Sequence, residues 1–536
     1  MVAGSGGAGL TAAVTAAARG LRTLLVEKTG LWGGTTALSG GVLWIPANPL
    51  MSRDGVPDSL DEALRYLAQI AGEPTGATSE GRRRAYLDAG PHLVEFLASR
   101  GFRWTRIPQY PDYYPELEGA RRGRSLEGEL FDGKRLGPWL KSLRRRKGPE
   151  PAAQSKDFDQ LVLALRTLRG LIRTSRVFGR TWIWEALGRA PLSAGLSLVG
   201  QLMNVAIRDG VTVWLDTALR DLVVEEGRVA GVVLERGGKQ ITIRARRGVV
   251  LTTGGFARAR DLRRRYQPVG DEWTSAIRSD TGDGLLAGLE AGAAAALMEN
   301  AWWGPSFVSP DGVRAFSVWE RSMPGSILVD TAGRRFVNES ASYLDVGRTI
   351  LERNQTVPTI PAWMVMDDRN RRHYPLMSLP PGRTPEAMVR SGFLVRAGSV
   401  EQLADAMAMD PAVLRETVDR FNGFARRGVD EDFGRGRSAY DRYYSDPRMK
   451  PNPNLAPIQR PPFWAIRIFP GDLGTNGGLL TDERARVLDL GGEPIKGLYA
   501  AGNTTATVMG RTYPGAGGTI GPAMVFAYLA AEDMTR

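Results

Sequence analysis

The chain has 536 residues, 43% of them hydrophobic, which is ample for a buried core and too long for one ordinary domain, so two domains or one domain with a large insertion is expected. It has no cysteine and only two histidines, His92 and His373, which excludes disulfides, thiolate metal sites and iron–sulfur clusters and would leave zinc or haem chemistry to be built almost entirely from carboxylates, so no metal is expected. Seventy Lys+Arg against 58 Asp+Glu give a formal net charge of +12, but no basic run is interleaved with aromatics, so no nucleic-acid partner is expected.

Residues 1–30 read strand–turn–helix–strand. Gly4, Gly6 and Gly9 form G-x-G-x-x-G: the first glycine allows a tight turn, the second lets a pyrophosphate approach, and the third lets helix and strand pack. An alanine-rich helix, Leu10–Arg19, follows, and then an apolar strand, Leu21–Glu27. The helix N-terminus offers free N–H groups to phosphate. The candidate dinucleotide contacts are Gly4, Gly6, Gly7, Ala8 and Gly9 in the turn, with Glu27 at the ribose position and Lys28 beside it. The strand before Gly4 is only three residues long, where about five or six are usual.

The next segment, 33–41, is rich in glycines and hydroxyls. Gly34, Thr35, Thr36, Ser39, Gly40 and Gly41 suit a second phosphate and a ribityl chain, which favours FAD over NAD. Helical periodicity runs over 57–100, an exposed loop over 141–157, and a helix with a basic face (Arg166, Arg169, Arg173, Arg176) over 158–177. A solvated face and a peripheral membrane contact through 141–177 are both open readings of this basic segment. Residues 211–251 read as a small antiparallel sheet turning at Glu226-Gly227 and returning to a buried strand, and 281–297 as a capped helix. Tryptophans, prolines and short elements, with a helix at 400–426, fill 300–470. The C-terminal part again reads strand–turn–helix: Leu498–Asn503, then Gly515–Thr519, then Ile520–Ala531. This second helix N-terminus could face an anionic flavin edge.

The expected fold is therefore α/β with an α+β insert: a Rossmann-like FAD-binding domain over 1–299 and 471–536, interrupted by a catalytic or capping domain over 300–470. No stretch reaches about 18 uninterrupted apolar residues, and glycines break the N-terminal apolar stretch, so neither a transmembrane helix nor a signal peptide is expected, and a cytoplasmic location is the default.

GSGGAG, GGTTALSGG, VVLTTGGF (249–256), TGDG (281–284), GRRFVNES (333–340) and GLYAAGN (497–503) resemble the fumarate reductase/succinate dehydrogenase flavoprotein superfamily. PDYYPELEG (111–119), Ser342-Tyr343 and TYPGAGGTIGP (512–522) resemble, within it, the 3-ketosteroid Δ1-dehydrogenases. The resemblance adds Gly254, Asp283, Gly502, Asn503, Gly518 and Thr519 to the expected FAD contacts. Fumarate reductases typically carry His-Gly-Gly where this chain has Thr475-Asn476-Gly477-Gly478, which disfavours a dicarboxylate substrate. A histidine for covalent flavin attachment is also missing, so the implied FAD is non-covalent.

The implied reaction removes a proton from C2 and a hydride from C1 of a 3-ketosteroid, passing electrons on to an external, quinone-like acceptor. Carried over by motif, Tyr513 and the Gly517 N–H polarise the C3 carbonyl, Tyr343 is the base, and Tyr113 assists it, Tyr114 being the alternative by one residue. Trp302, Trp303, Phe316 and Trp363 are candidate walls of an apolar pocket. The rival readings are a Δ4-(5α)-dehydrogenase, an enone or enoate reductase using Arg321, Arg335 or Arg467 as proton donor, and a non-enzymatic flavin-binding or membrane-docking protein.

Overall fold

In the computed structural model, which describes every residue except Lys147 and Pro149, seven strands and four helices position the site. The strands are β1 (Val2–Ala3), β2 (Leu24–Val26), β3 (Val42–Trp44), β4 (Val249–Leu251), β5 (Ala301–Val308), β6 (Phe463–Thr475) and β7 (Pro494–Ala500). The helices are α1 (Gly7–Ala18), α2 (Leu168–Ala186), α3 (Tyr343–Arg353) and α4 (Ile520–Asp533).

β1 is only two residues long, yet it holds the centre of a nine-stranded sheet. Val2 pairs in parallel with Leu25 of β2 on one side and with Val250 of β4 on the other. β7 lies beside β4, so the C-terminal strand returns next to the N-terminal one. These strands are short apolar runs because helices cover both faces of a parallel sheet. α1 packs on α4, and its alanines and threonines keep the two axes close. Thr11 and Thr15, buried in α1, spend their hydroxyls on the carbonyls of Gly7 and Thr11, at 2.8 and 2.9 Å. The antiparallel meander expected after 211 comprises Thr217–Glu225, Arg228–Arg236 and Lys239–Arg244. Its turn at Glu226-Gly227 has positive φ at both residues, 49° and 71°.

Four expected helices are shorter or divided, the 158–177 stretch into Phe158–Leu161 and Leu168–Ala186. The 57–100 stretch forms Leu60–Ala71 and Glu80–Ser99, separated where Gly72 takes φ +66°. The 400–426 stretch forms Val400–Ala406 and Pro411–Arg427, because Asp410 caps a new helix with Pro411 at its first position. The 281–297 helix stops at Glu290, and Ala295–Ala296 pair as a strand with Gly478–Leu479.

The second sheet has six strands and is built around β6. β6 pairs antiparallel with β5, with Ala362–Met366 and with Leu394–Ala397. The boundary expected at 470–471 lies inside this one continuous strand. Pro470 and Gly471, on either side of that boundary, sit opposite Pro305 and Gly304, where two prolines face each other with no N–H to lose. β3 belongs to a smaller sheet with Ser125–Gly128 and Trp104–Arg106. Among the described residues no helix is long and apolar enough to cross a membrane.

Candidate active site

The residues expected to hold the cofactor converge from both ends of the chain. Gly502, with φ +72°, stands where a Cβ would lie 3.5 Å from the Ala8 methyl of α1 and 3.6 Å from the Ala523 methyl of α4. The first turns of both helices therefore meet at one point. Neither helix N-terminus carries a side-chain cap: Gly6 has none to offer, and the Thr519 hydroxyl turns instead to the Tyr513 hydroxyl at 3.0 Å. Two uncapped, converging helix ends suit an anion such as a pyrophosphate or a flavin edge.

The three motif glycines differ in what demands them. A Cβ at Gly4 (φ +103°) would lie 2.2 Å from the Thr252 carbonyl oxygen, and one at Gly9 only 1.8 Å from the Gly4 carbonyl oxygen. Packing requires both. Gly6 has ordinary extended backbone (φ −71°, ψ −175°), and its Cβ would meet only Thr36 Oγ1, at 3.6 Å. Nothing in the protein itself needs glycine there, whereas an approaching phosphate does. The residues present thus fit a dinucleotide.

The remaining expected contacts line the same edge. The buried Glu27 carboxylate accepts from Ser5 Oγ (2.6 Å) and Thr29 Oγ1 (3.0 Å), hydroxyls with which a ribose diol would compete. Lys28 pairs with Asp283 at 2.8 Å. Thr36 Oγ1 accepts from the Gly7 N–H at 3.1 Å, and Thr35 Oγ1 from the Ile277 N–H at 3.5 Å. Gly34 lies against Gly6, where a Cβ would come within 3.2 Å of the Gly6 Cα. The Ser39 hydroxyl accepts from the Gly41 N–H at 3.0 Å, and the Gly40 carbonyl accepts from Ser155 Oγ at 3.4 Å. The Gly254 carbonyl accepts from Thr504 Oγ1 at 2.8 Å. Gly518 lies on the Tyr513 ring, and Asn503 accepts from the Trp302 indole at 3.2 Å.

Trp302 leads directly to a cluster of tyrosines, its ring edge-on to Tyr513 at 5.1 Å. Tyr113, Tyr343 and Tyr513 come from three distant segments, and their ring centroids lie 5.2–5.5 Å apart pairwise. All three are buried. The Tyr113 N–H donates to the Pro514 carbonyl at 3.0 Å, which fixes the 111–119 segment to the 512–522 turn. Tyr114 points elsewhere, its hydroxyl donating to Asp345 at 3.1 Å. Gly517 has φ +101° and lies so close to β3 that a Cβ would strike the Leu43–Trp44 peptide at 2.4 Å. Its N–H is buried and donates to no group among the described residues, an unusual state for a backbone donor.

Burial raises the pKa of all three phenols. Tyr513 is held up by burial, against the hydrogen bonds it receives from Thr519 and Tyr343. Tyr343 is pushed well above the ordinary phenol value by burial and then by Tyr513, while a hydrogen bond from Tyr113 works the other way. The effect of Tyr113 is thus toward the ionised form of Tyr343, but burial outweighs it. Two sources of positive potential face the cluster. Tyr343 is the first residue of α3, at the positive end of that helix. Arg321 is buried and its charge is felt by Tyr113 and Tyr440.

Not every expected residue joins. Phe316 packs edge-on to Tyr343 at 5.0 Å, but Trp303 faces Arg263 at 5.5 Å, away from the tyrosines, because successive strand residues point to opposite faces. Trp363 lies in a separate core with Arg467 over its ring at 5.2 Å. Of the three arginines considered as proton donors, Arg335 is committed to Glu339 and Asp430 (2.8 and 3.0 Å), and Arg467 is exposed on β6. Arg321 alone approaches the tyrosines; its Nη1 donates to the Glu339 and Ala341 carbonyls, and its buried Nη2 has no partner among the described residues.

Sequence reasoning missed two supporting groups. Tyr440 packs on Tyr113 at 4.6 Å and Tyr443 on Tyr110 at 4.3 Å, an aromatic shell signalled by the run Tyr440–Tyr444. Behind Tyr113, Asp112 accepts from the Trp44 indole (2.7 Å) and pairs with Arg124 (2.8 Å), which also holds Asp58 (2.6 Å). Burial still pushes Asp112 up to about 6.

The family model for the FAD binding domain matches residues 1–520. A 3-oxosteroid 1-dehydrogenase of Mycolicibacterium smegmatis is 44% identical, with 100% of this chain and 96% of that protein covered. A 4-oxocyclohexanecarboxylate 2-dehydrogenase of Sinomonas cyclohexanicum is 35% identical, covering 100% and 92%. The solved structure of 3-ketosteroid delta1-dehydrogenase from Sterolibacterium denitrificans, in complex with 1,4-androstadiene-3,17-dione, superposes with a TM-score of 0.94 at 37% identity, covering 100% and 98%. The glycine cradle and the tyrosine cluster thus occur together in a chain that belongs to the FAD-binding family and, within it, to the 3-oxosteroid 1-dehydrogenases.

Proposed function

We propose that this protein dehydrogenates the C1–C2 bond of 3-ketosteroids. The observation that carries the reading is the contact of Tyr113, Tyr343 and Tyr513 beside the unpartnered Gly517 N–H. The chemistry that bound FAD supplies is two-electron acceptance of the hydrogen lost from C1. The C2 proton is acidic only because the C3 oxygen can take up enolate charge, so donors at that oxygen are needed. Tyr513 fits this role: Thr519 donates to its oxygen, and burial keeps its own proton in place to donate. The Gly517 N–H is the second donor. Tyr343 receives the C2 proton, and Tyr113, whose ring touches it, eases its ionisation. The buried charge of Arg321 and the end of α3 offset part of the cost that burial imposes on that ionisation.

An external, quinone-like acceptor would take up the electrons that bound FAD collects. Substrate and acceptor are both lipid-soluble, which gives a peripheral membrane contact through the basic 141–177 segment a use.

The test is anaerobic mixing of the yellow purified protein with a panel of 3-keto-4-ene steroids, with product analysis. Flavin bleaching with formation of the 1,4-diene is expected. Full flavin loading with no bleaching by any steroid overturns the reading, and desaturation at C4–C5 of a 5α-steroid moves it to the Δ4-(5α) reaction.

A further inference from the structure

Two lines of aromatic rings lead away from the three clustered tyrosines and end at the same place. In the first, Tyr113 lies 6.3 Å from Tyr110, and Tyr110 lies 4.3 Å from Tyr443. In the second, Phe316 touches Tyr343 at 5.0 Å, and Trp319, three residues on, stacks on Phe158 at 6.0 Å. Asp159 follows Phe158 directly, and its charge is felt by Tyr443 and Tyr444. A third path runs along the strand Ser125–Gly128, beside β3. Ser125 Oγ donates to the Ala516 carbonyl at 2.9 Å, next to Gly517. Glu127 stands on the same face of that strand, about 7 Å along it. Its charge, too, is felt by Tyr443.

This far end is polar, and several of its polar atoms lack partners. Glu127 is fully buried. Its Oε2 accepts from the Ser155 N–H at 2.9 Å, but its buried Oε1 has no partner among the described residues. Asp159 repeats the pattern: Oδ2 accepts from the Gln160 amide at 3.0 Å, and the buried Oδ1 has no partner among the described residues. The buried Trp319 indole N–H likewise donates to none of them. Lys156 and Arg173 lend the two carboxylates positive potential. Each spends its hydrogen bond elsewhere, Lys156 on Thr105 Oγ1 and Arg173 on Asp157, both at 3.1 Å. Leaving a buried carboxylate oxygen without a donor is costly, so such atoms mark a place where a ligand supplies one.

We infer that Glu127 and Asp159, with the Trp319 indole, hold the end of the substrate remote from the reacting ring and select a hydroxyl there. The inference rests on the steroid reading. With the C3 carbonyl at Tyr513 and Gly517, the fused rings extend between the aromatic walls and bring C17 to the two carboxylates. A C17 hydroxyl donates to a carboxylate oxygen and accepts from the indole. A C17 ketone has no proton to give and leaves both oxygens bare. A site built to hydrogen-bond a hydroxyl rejects the analogue that lacks it, because its own buried groups then stay unpaired.

The test compares two 3-keto-4-ene steroids that differ only at C17, one a 17β-hydroxyl and the other a ketone. Burial pushes Glu127 up to about 7, so kcat and KM are measured at pH 8, with binding followed in parallel by the perturbation of the flavin spectrum. Wild type is expected to show a KM at least fivefold lower for the hydroxysteroid, at similar kcat. Glu127→Gln puts amide N–H groups where the carboxylate stood. It should raise KM for the hydroxysteroid at least tenfold without raising it for the ketone, which reverses the preference. Asp159→Asn should act in the same direction more weakly, because Asp159 is only half-buried. Equal KM values in wild type, or a preference for the ketone, overturn the inference. So does an unchanged ratio in Asp159→Asn together with equal weakening of both steroids in Glu127→Gln, which makes the carboxylates structural. If neither steroid is dehydrogenated at C1–C2 the proposed function falls, and the two spectral dissociation constants still decide the far end.

Discussion

The cofactor cradle and the tyrosine cluster meet at residues 502–519 but are made of different material. The cradle is backbone: uncapped helix ends, glycines at Gly4, Gly6 and Gly9, and a junction at Gly502 between α1 and α4. The cluster is side chains: three phenols brought from positions 113, 343 and 513 into a buried group. A backbone site is broken by adding atoms, whereas a side-chain site is broken by removing them. Changes in the first should appear in flavin content and folding, and changes in the second in turnover.

The largest expected effect is in the cluster. Tyr343→Phe and Tyr513→Phe should each lower kcat by about 10²–10⁴ while flavin content and the visible spectrum stay as in wild type, the range for losing a general base or one donor to a developing oxyanion. Loss of flavin in these variants would erase the distinction between the two regions.

Next comes the cradle, where two neighbouring glycines should behave differently. Gly9→Ala forces a methyl into the Gly4 carbonyl and should yield little folded protein. Gly6→Ala meets only Thr36 and should leave the melting temperature of the apoprotein within about 2 °C of wild type. Its affinity for FAD should nevertheless fall at least tenfold, about 1.4 kcal/mol. Equal damage from both substitutions would return Gly6 to a packing role.

The third test is the pH profile. Burial holds Tyr343 above the ordinary phenol value of about 10, so kcat/KM should climb through pH 9 without a plateau. Tyr113→Phe removes the hydrogen bond that lowers Tyr343 and should move the rising limb to higher pH. A flat profile from pH 7 to 9 would exclude a phenol base.

The smallest effect concerns stability. Burial, and next the charge of Asp472, raise Asp280 to about 7, above the unfolded value of about 4. Its contribution to stability is therefore full below about pH 4 and is lost as pH rises through about 7. Asp280→Asn, neutral throughout, should flatten the decline in melting temperature between pH 5 and 8.

The two regions also differed in how well they could be read from sequence. Glycine spacing exposes a cradle directly, because backbone geometry is local: Gly4, Gly6, Gly9 and the turn at Glu226-Gly227 lie where the sequence put them. The tyrosines carried no local signal beyond a family resemblance, since any of them could have been core. What brings them together is long-range, such as the Tyr113–Pro514 hydrogen bond and the Asp112–Arg124–Asp58 network. Trp363 and Trp303 show the limit of reading wall residues from composition, because strand alternation and sheet membership decide which way each one faces. The outward apolar face of α2, which carries Phe178 and Trp182, was hidden for the opposite reason: its arginines dominate the sequence, whereas its leucines and aromatics gain meaning only once the helix is seen to bury its other side.

β6 bears on how this molecule could be taken apart. It is a single 13-residue strand whose first half anchors the second sheet and whose last residue, Thr475, accepts from the Phe256 N–H beside the cradle at 3.1 Å. Asp472 on the same strand pairs with the buried Arg263 at 3.0 Å. A cut after residue 470 divides the partner of β5, because Pro305 and Ser306 pair with Pro470 and Phe469 on one side of it, while Ala301, Trp303 and Gly304 pair with Thr475, Asp472 and Gly471 on the other. The substrate-facing part of the protein is thus not a portable module, and transplanting it onto another flavoprotein would require moving the whole strand and the contacts at both of its ends.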